Sequence, residues 1–324
     1  MVISRRRAMQ AAALAATGQF AAAHAQQQYP AKPIKCIIPA SPGTTLDALA
    51  RFMADPVSRR LNTPVVIENR PGAGLLLGTE VVARAPADGY TLLYTGSAHY
   101  AARGLSDTPL TFDPLSDFVP VARMSRVALG IVVRTDAPYK TLADLIAAMK
   151  ARPGELTYSS SGIGSTAHLC AVALNDATQT TARHVAYRGN GPAVIDVASG
   201  QVEFTCQGPG VILPLLQSGK LRGLAVTGRT RWDAFPDVPT AIEAGVPDFD
   251  MSSWSGVLAP ARTPPAALQL LSDAFIRAGQ TPEFKAFCAQ QSASVELVGH
   301  REFAGQVREE EAYWMRIAQL SKKS

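Results

Sequence analysis

One strand–helix–strand unit constrains this chain more than any other feature. Residues 64–67 (Pro-Val-Val-Ile) form a short run rich in β-branched residues, Arg70-Pro71-Gly72 is turn chemistry, residues 75–85 read as a helix, and residues 90–94 as the next strand. Two strands joined through a helix lie parallel in one sheet, so the fold class is α/β. The same layout recurs three times. Residues 34–40 lead through Ser41-Pro42-Gly43-Thr44-Thr45 to a helix with Leu46, Leu49, Ala50, Met53, Val57 and Leu61 on its apolar face. Residues 156–160 lead through Ser161-Gly162-Ile163-Gly164-Ser165 to a helix carrying Leu169, Val172 and Ala173. Residues 184–187 lead through Arg188-Gly189-Asn190-Gly191-Pro192 to a helix with Val194, Ile195 and Val197. Mainly parallel sheets are therefore expected.

A loop that leaves a parallel strand and opens a helix points free backbone N–H groups outward, where the helix dipole favours an anion. Glycine lets a ligand approach the backbone, and Ser41, Thr44, Thr45 and Ser165 add hydroxyl donors. Together three such loops would trap a carboxylate; singly, each is ordinary turn chemistry. Arg188 is the one cation in these loops, able to hold a carboxylate through two hydrogen bonds or to sit solvated. Asp47 is expected to accept from nearby N–H groups and shape the first loop, and His168 to orient the second.

The first 25 residues carry Arg5, Arg6 and Arg7, an apolar stretch and the small-x-small end Ala23-His24-Ala25, the pattern of a secretory leader cleaved after Ala25. Ser4-Arg5-Arg6 only partly matches a twin-arginine signal, and the export route stays open. Cleavage leaves 299 residues with 28 basic and 26 acidic side chains, room for two lobes of about 150 residues each. That balance, with no basic run beyond Lys322-Lys323, gives no reason to expect nucleic-acid binding. Neither the cysteines nor the histidines show metal-ligand spacing, and no cofactor is implied. In an oxidising compartment Cys170 and Cys206 are the preferred pair if a disulfide forms; the alternative is buried thiols at Cys36, Cys170, Cys206 and Cys288.

Glu68-Asn69-Arg70-Pro71-Gly72-Ala73-Gly74 followed by Asp88-Gly89-Tyr90-Thr91-Leu92-Leu93 resembles the periplasmic substrate-binding proteins of tripartite tricarboxylate transporters, a likeness running from about residue 29 to 314. The resemblance implies a two-lobed periplasmic binding protein-like fold of type II, each lobe a mainly parallel sheet flanked by helices, with the ligand cleft between lobes. Lobe 1 would comprise residues 26–125 and 253–324, and lobe 2 residues 126–252, with crossings near residues 118–133 and 252–259. The helical C-terminal segment would pack back on lobe 1. The family's first binding loop is approximately Pro-Phe-Pro-x-Gly-Gly-x-x-Asp, and Pro39 to Asp47 is similar to it, with Thr44 in place of the second glycine. The second loop, Ser160 to Ser165 with His168-Leu169, is similar to Gly-x-Gly-Ser-x-x-His-Leu; the third, His184-Val185-Ala186-Tyr187-Arg188-Gly189, is similar to His-Val-Pro-Tyr-Lys-Gly.

The resemblance implies a ligand-binding set of Ser41, Pro42, Gly43, Thr44, Thr45, Asp47, Ser97, Ser160, Gly162, Ile163, Gly164, Ser165, His168, Tyr187, Arg188, Gly189 and Gln207. Many relatives place an acid where Gln207 stands; a neutral amide is compatible with a more anionic or a hydroxylated ligand, unless it simply faces solvent. Leu75, where relatives often have glycine, is assigned to packing. The implied function is capture of a small carboxylate and its delivery to a membrane permease, without catalysis. A sensor role is an alternative. An exported enzyme is another, since Gly72-Ala73-Gly74 with Gly78 could be taken for a dinucleotide loop. A catalytic Tyr-x-x-x-Lys and a Gly-x-Ser-x-Gly elbow are both missing from the sequence.

Overall fold

The computed structural model describes residues 29–105 and 109–322; the proposed leader, residues 1–25, lies outside the described residues. In chain order the first part runs β1 (Ile34–Ile38), α1 (Thr45–Leu61), β2 (Val65–Asn69), α2 (Leu76–Ala83), β3 (Thr91–Gly96), α3 (Ala102–Leu105) and β4 (Phe118–Val127). The middle part runs β5 (Gly130–Arg134), α4 (Leu142–Ala151), β6 (Thr157–Ser160), α5 (Thr166–Thr178), β7 (Arg183–Ala186), α6 (Asn190–Ser199), β8 (Phe204–Gln207), α7 (Pro209–Gln217) and β9 (Leu221–Val226). The chain ends with β10 (Ser253–Pro260), α8 (Pro265–Gly279), α9 (Pro282–Gln290), β11 (Ala293–Gly299) and α10 (His300–Ser321).

Local chemistry explains the helix ends. Thr44 caps α1 by accepting from the Asp47 N–H, Ser165 caps α5 by accepting from His168, and Thr141 and Asp144 form a reciprocal capping box on α4. The buried face of α1, Leu49, Ala50, Met53, Val57 and Leu61, repeats at helical spacing and packs on the first sheet.

Two sheets result. The first has the order β11-β4-β10-β3-β1-β2 and the second β7-β6-β8-β5-β9. Both are mixed, which corrects the expectation of mainly parallel sheets. Only the β1–β2, β1–β3, β6–β7 and β6–β8 pairs are parallel; β4, β5, β9, β10 and β11 pair antiparallel. Parallel pairing needs a crossover connection, and β5, which enters the second sheet straight from β4 without one, lies antiparallel between β8 and β9. Strands β4 and β5 are not partners of each other: residues 128–129 carry the chain from one sheet to the other.

Thr227 ties the two crossings together. Its N–H donates to the Leu129 carbonyl (2.8 Å), its Oγ1 accepts from the Leu129 N–H (2.9 Å), and its carbonyl accepts from the Met251 N–H (2.9 Å). On this side the core is continuous, joining Leu93, Tyr100, Trp254 and Phe303 to Ile131, Tyr158, Leu169 and Phe204. The C-terminal segment is not wholly helical, since β11 interrupts it, and α10 packs on both β4 and α5, touching both lobes. Cys170 and Cys206 are hydrogen-bonded neighbours held as buried thiols, not as a disulfide, and burial raises the Cys170 thiol well above its ordinary pKa. No described helix is long and apolar enough to cross a membrane.

Candidate functional site

Between the two sheets lies a cavity of about 750 Å³, predominantly apolar in its lining. It is built where strands end and helices begin. The β1–α1, β6–α5, β7–α6 and β8–α7 connections all reach it, the first from one lobe and the other three from the second. The N–H groups of Thr45, Leu46, Thr166, Ala167 and Asn190, residues of helix first turns that line the cavity, have no acceptor among the described residues. Helix N-termini carry roughly half a positive charge each, so three of them facing one cavity favour an anion.

Of the sequence-predicted residues, Ser41, Thr44, Thr45, Gly162, Ile163, Gly164, Ser165, Tyr187, Arg188, Gly189 and Gln207 line this cavity. Arg188 is the one charged side chain among the described lining residues; it is exposed. Tyr187 is oriented by α6, its hydroxyl donating to Asp196 Oδ2 at 2.5 Å, and partial burial together with that carboxylate pushes its pKa up to about 12.

Six predicted residues do not line it. Pro42 and Gly43 form an exposed turn. Asp47 sits behind that turn, accepting from the Gly43 N–H (3.0 Å), Arg51 Nε (2.9 Å) and Asn69 Nδ2 (2.9 Å). Burial opposes its ionisation, but these donors outweigh it and hold the carboxyl below its ordinary range. Ser97 faces β10 instead of the cavity, its Oγ accepting from the Trp254 N–H at 2.9 Å. Ser160 accepts from the Gly162 N–H and contacts His184 Nε2 at 2.6 Å, while His168 Nδ1 accepts from the Gly164 N–H at 3.3 Å. Serine and histidine thus hold the second loop from beneath. The His168 and His184 rings lie 4.4 Å apart beside Tyr158, and burial lowers both pKa values to about 4, so both imidazoles are neutral at pH 7.

Sequence reasoning missed the site's second wall, Pro71, Gly72, Ala73, Gly74, Leu75 and Leu76. Gly72, Ala73, Gly74 and Leu75 all have positive φ, and Leu75, assigned to packing, is left-handed (φ 81°) and lines the cavity. The Gly-rich motif that identified the strand–helix–strand unit was itself the signal. Close protein packing accounts for two glycines of this loop: a Cβ on Gly74 would lie 1.9 Å from the Ile163 carbonyl oxygen, and one on Gly78 would lie 2.8 Å from the Arg70 carbonyl oxygen.

The lobes touch across the cavity mouth. Besides Gly74 against Ile163, the Gly210 N–H donates to Thr45 Oγ1 at 2.8 Å, and Gly189 approaches the Ser41 hydroxyl. The structure is a closed one.

The family model described as tripartite tricarboxylate transporter family receptor matches residues 49–321. Protein BugT of Bordetella pertussis is 38% identical over 282 residues, 86% of either chain. Among solved structures, an R. palustris protein with adipate superposes with a TM-score of 0.85 at 31% identity, covering 91% of this chain and 99% of that one. MatC from Rhodopseudomonas palustris with bound malate gives 0.83 at 29% identity, covering 90% and 100%. The fold of this chain, two helix-flanked mixed sheets with a cavity between them, is thus shared along nearly its whole described length with these two solved structures.

Proposed function

This chain belongs to the tripartite tricarboxylate transporter receptor family, and from that premise we propose that it is an exported, periplasmic solute receptor that closes its two lobes on a carboxylate. The observation that carries this reading is the convergence of unsatisfied helix N-termini, α1 from one lobe and α5 and α6 from the other, on a single cavity whose described lining holds no acidic side chain. A carboxylate placed there accepts from both lobes at once. Each charge-assisted hydrogen bond contributes about 1.5–3 kcal/mol, and those from the far lobe exist only when the lobes are closed. Ligand binding and closure are therefore one equilibrium.

The first lobe takes in β4 as far as Val127, two residues beyond the 125/126 boundary read from the sequence, and the lobes turn on the Thr227 tie between the crossings. The closed form is the shape a membrane permease reads, and transfer of the solute to such a permease completes the function. Binding of this kind requires no catalytic group, metal or cofactor. Relatives solved with adipate and with malate support a carboxylate ligand.

The test is a thermal-shift screen of the mature protein against mono-, di- and tricarboxylates, aromatic acids and amino acids, with mass spectrometry of ligand extracted from the denatured protein. A ligand at about 100 times its Kd adds roughly 2.7 kcal/mol, several degrees in Tm. The expected result is stabilisation by one carboxylate class or an extracted carboxylate. Absence of both, from folded protein, would overturn the reading.

A further inference from the structure

Leu75 breaks two local rules at once. It stands at the N-cap of α2, where serine, threonine, aspartate and asparagine are preferred for the hydrogen bond their side chains accept, and it makes no side-chain cap. Its backbone is left-handed (φ 81°, ψ −8°), a conformation that crowds a Cβ and that glycine or asparagine adopts more readily. Such departures persist where the surroundings impose them, and they gather at functional sites. What leucine supplies here is a partly buried hydrocarbon side chain in the cavity wall.

Leu76 beside it, Leu105 at the end of α3, and Val127 and Leu129 where the chain crosses between lobes line the same cavity. Leu105 reaches the second binding loop, its Cδ1 lying 2.9 Å from where a Cβ on Gly164 would be. Polar groups are distributed as the complement of this wall. Ser41, Thr45, Ser161, Thr166, Arg188 and Asn190 keep side-chain donors unspent among the described residues, and all six belong to the loops and first turns that open α1, α5 and α6. Elsewhere in the lining the donors are spent or sealed. Ser255 Oγ lies 3.1 Å from the Tyr94 hydroxyl and 2.7 Å from Ser125 Oγ, and Ser253 Oγ accepts from the Ser97 N–H (3.2 Å) and donates to the Trp254 carbonyl (3.1 Å). The Gln207 amide nitrogen and the Trp254 indole N–H are buried. The helix N-termini therefore have donors for a carboxylate, and the wall offers the rest of the ligand hydrocarbon. A cavity of about 750 Å³ has the size that buries a drug-sized molecule, of which a carboxylate is a small part. A hydroxyl laid on this wall gives up its water for no partner, whereas a methyl group in its place gains by leaving water.

We infer that Leu75 is a specificity-determining residue of this site, and that it selects a carboxylate with a hydrocarbon body, aromatic or aliphatic, over a hydroxy acid of the same charge and size. This rests on the carboxylate-receptor reading and names the kind of carboxylate. The hydroxylated ligand that a glutamine at position 207 left open is not what this wall favours.

The test uses pairs that match in charge and nearly in size and differ by methyl for hydroxyl: 4-methylbenzoate against 4-hydroxybenzoate, octanoate against 7-hydroxyheptanoate, and methylsuccinate against malate. Titration calorimetry of the full mature protein is expected to show at least one methyl member bound, roughly tenfold tighter than its hydroxyl partner, about 1.4 kcal/mol. Leu75→Asn, which accepts the left-handed backbone and puts an amide in the wall, should bring such a pair to parity or invert it. Leu75→Gly, free of the backbone penalty, should lower the methyl preference at least about threefold. Each ratio is taken within one variant, so a change in overall stability cancels from it. Wild-type ratios in both variants would mean that Leu75 only packs, and its role would fall. A methyl preference under about threefold in any binding pair of the wild type, or a preference for the hydroxyl member, overturns the hydrocarbon body and leaves the carboxylate receptor standing. If no methyl member binds, the inference also falls, and the receptor reading then stands or falls separately on whether any other acid, malate and citrate included, binds. The wild-type pairs decide the ligand class even if neither variant folds.

Discussion

Closure can be tested at the place where the lobes meet backbone to backbone. Gly74 has φ 62°, and a Cβ there would lie 1.9 Å from the Ile163 carbonyl oxygen and 3.1 Å from its carbon. Ordinary C···O contacts begin near 3.3 Å, so Gly74→Ala creates a shortfall of about 1.4 Å. Both sides of the contact are main chain. Neither can rotate away, and the lobes have to part by roughly that distance at this edge. Parting stretches the Gly210-to-Thr45 hydrogen bond past its useful range, a loss of about 1 kcal/mol. Re-wetting on the order of 100 Å² of apolar rim adds about 2.5 kcal/mol at 25 cal/mol/Å². The closed state is then disfavoured by about 3.5 kcal/mol, equivalent to a roughly 300-fold weaker Kd.

The left-handed backbone adds about 1–2 kcal/mol of strain, but it does so with the lobes open or closed, so it lowers stability and leaves affinity alone. Gly219→Ala isolates that part: its φ is 68° and a Cβ there meets nothing within 4 Å. Calorimetry with any carboxylate that stabilises the wild type, paired with small-angle scattering, reads both quantities. Gly74→Ala should lose about two and a half orders of magnitude in affinity and show no compaction with ligand, while Gly219→Ala loses stability only. Affinity within threefold of wild type, with normal ligand-induced compaction, would refute the argument that this contact belongs to the liganded state.

Three further outcomes are expected. Gly164→Val, in a loop with φ 86° where a Cβ would come within 2.9 Å of Leu105 Cδ1, should abolish carboxylate binding in calorimetry while the far-ultraviolet circular dichroism stays native; unchanged affinity would remove that loop from the site. Arg123 is buried between Glu296 (3.2 Å) and Glu310 (2.9 Å) and packs on the Trp254 and Phe303 rings, so Arg123→Ala should cost about 3–5 kcal/mol in urea unfolding by stranding the Glu310 carboxylate and emptying the space against both rings, while Glu296 keeps Arg126 (3.0 Å). Burial lowers His99 and His168 from an ordinary pKa of 6.5 to about 4, so their contribution is intact above pH 6.5 and is lost as the unfolded state takes up protons between pH 6.5 and 4. At pH 5 each lowers stability by about 2 kcal/mol relative to pH 7, and His184, partly open to solvent, by less. Equal urea midpoints at pH 7 and pH 5 would contradict this.

The chain's local chemistry was readable from its residues. Strand, glycine loop and helix followed one another at the spacing that α/β units need, and Ser165 and Thr44 stood where helix N-caps belong. The loops at Ser41 to Thr45, Gly162 to Ser165 and Tyr187 to Gly189 were recognisable because each is formed by residues adjacent in sequence. Strand β11 escaped notice although Ala293 to Leu297 alternate apolar and polar residues, because so short a run lies between two helices, α9 and α10. Sheet direction escaped for another reason. Ser255 pairs with Ser125, 130 residues away, and no local propensity records which way such a partner runs.

Tertiary structure alone decided which polar groups were already spoken for. Ser97 is an attractive ligand donor until the Trp254 N–H, 157 residues distant, takes its hydroxyl, and Gln207 looks like any amide until its donor is left buried and unmet. The Pro71 to Leu76 loop reads as a turn until the carbonyl of Ile163, from the other lobe, comes to rest against Gly74. Dihedral preference and capping act over a few residues and so leave a mark in the sequence. Contacts between lobes form between residues far apart, where the entropy of closing the chain is offset only by the burial of the whole interface, and so they are settled by the folded whole.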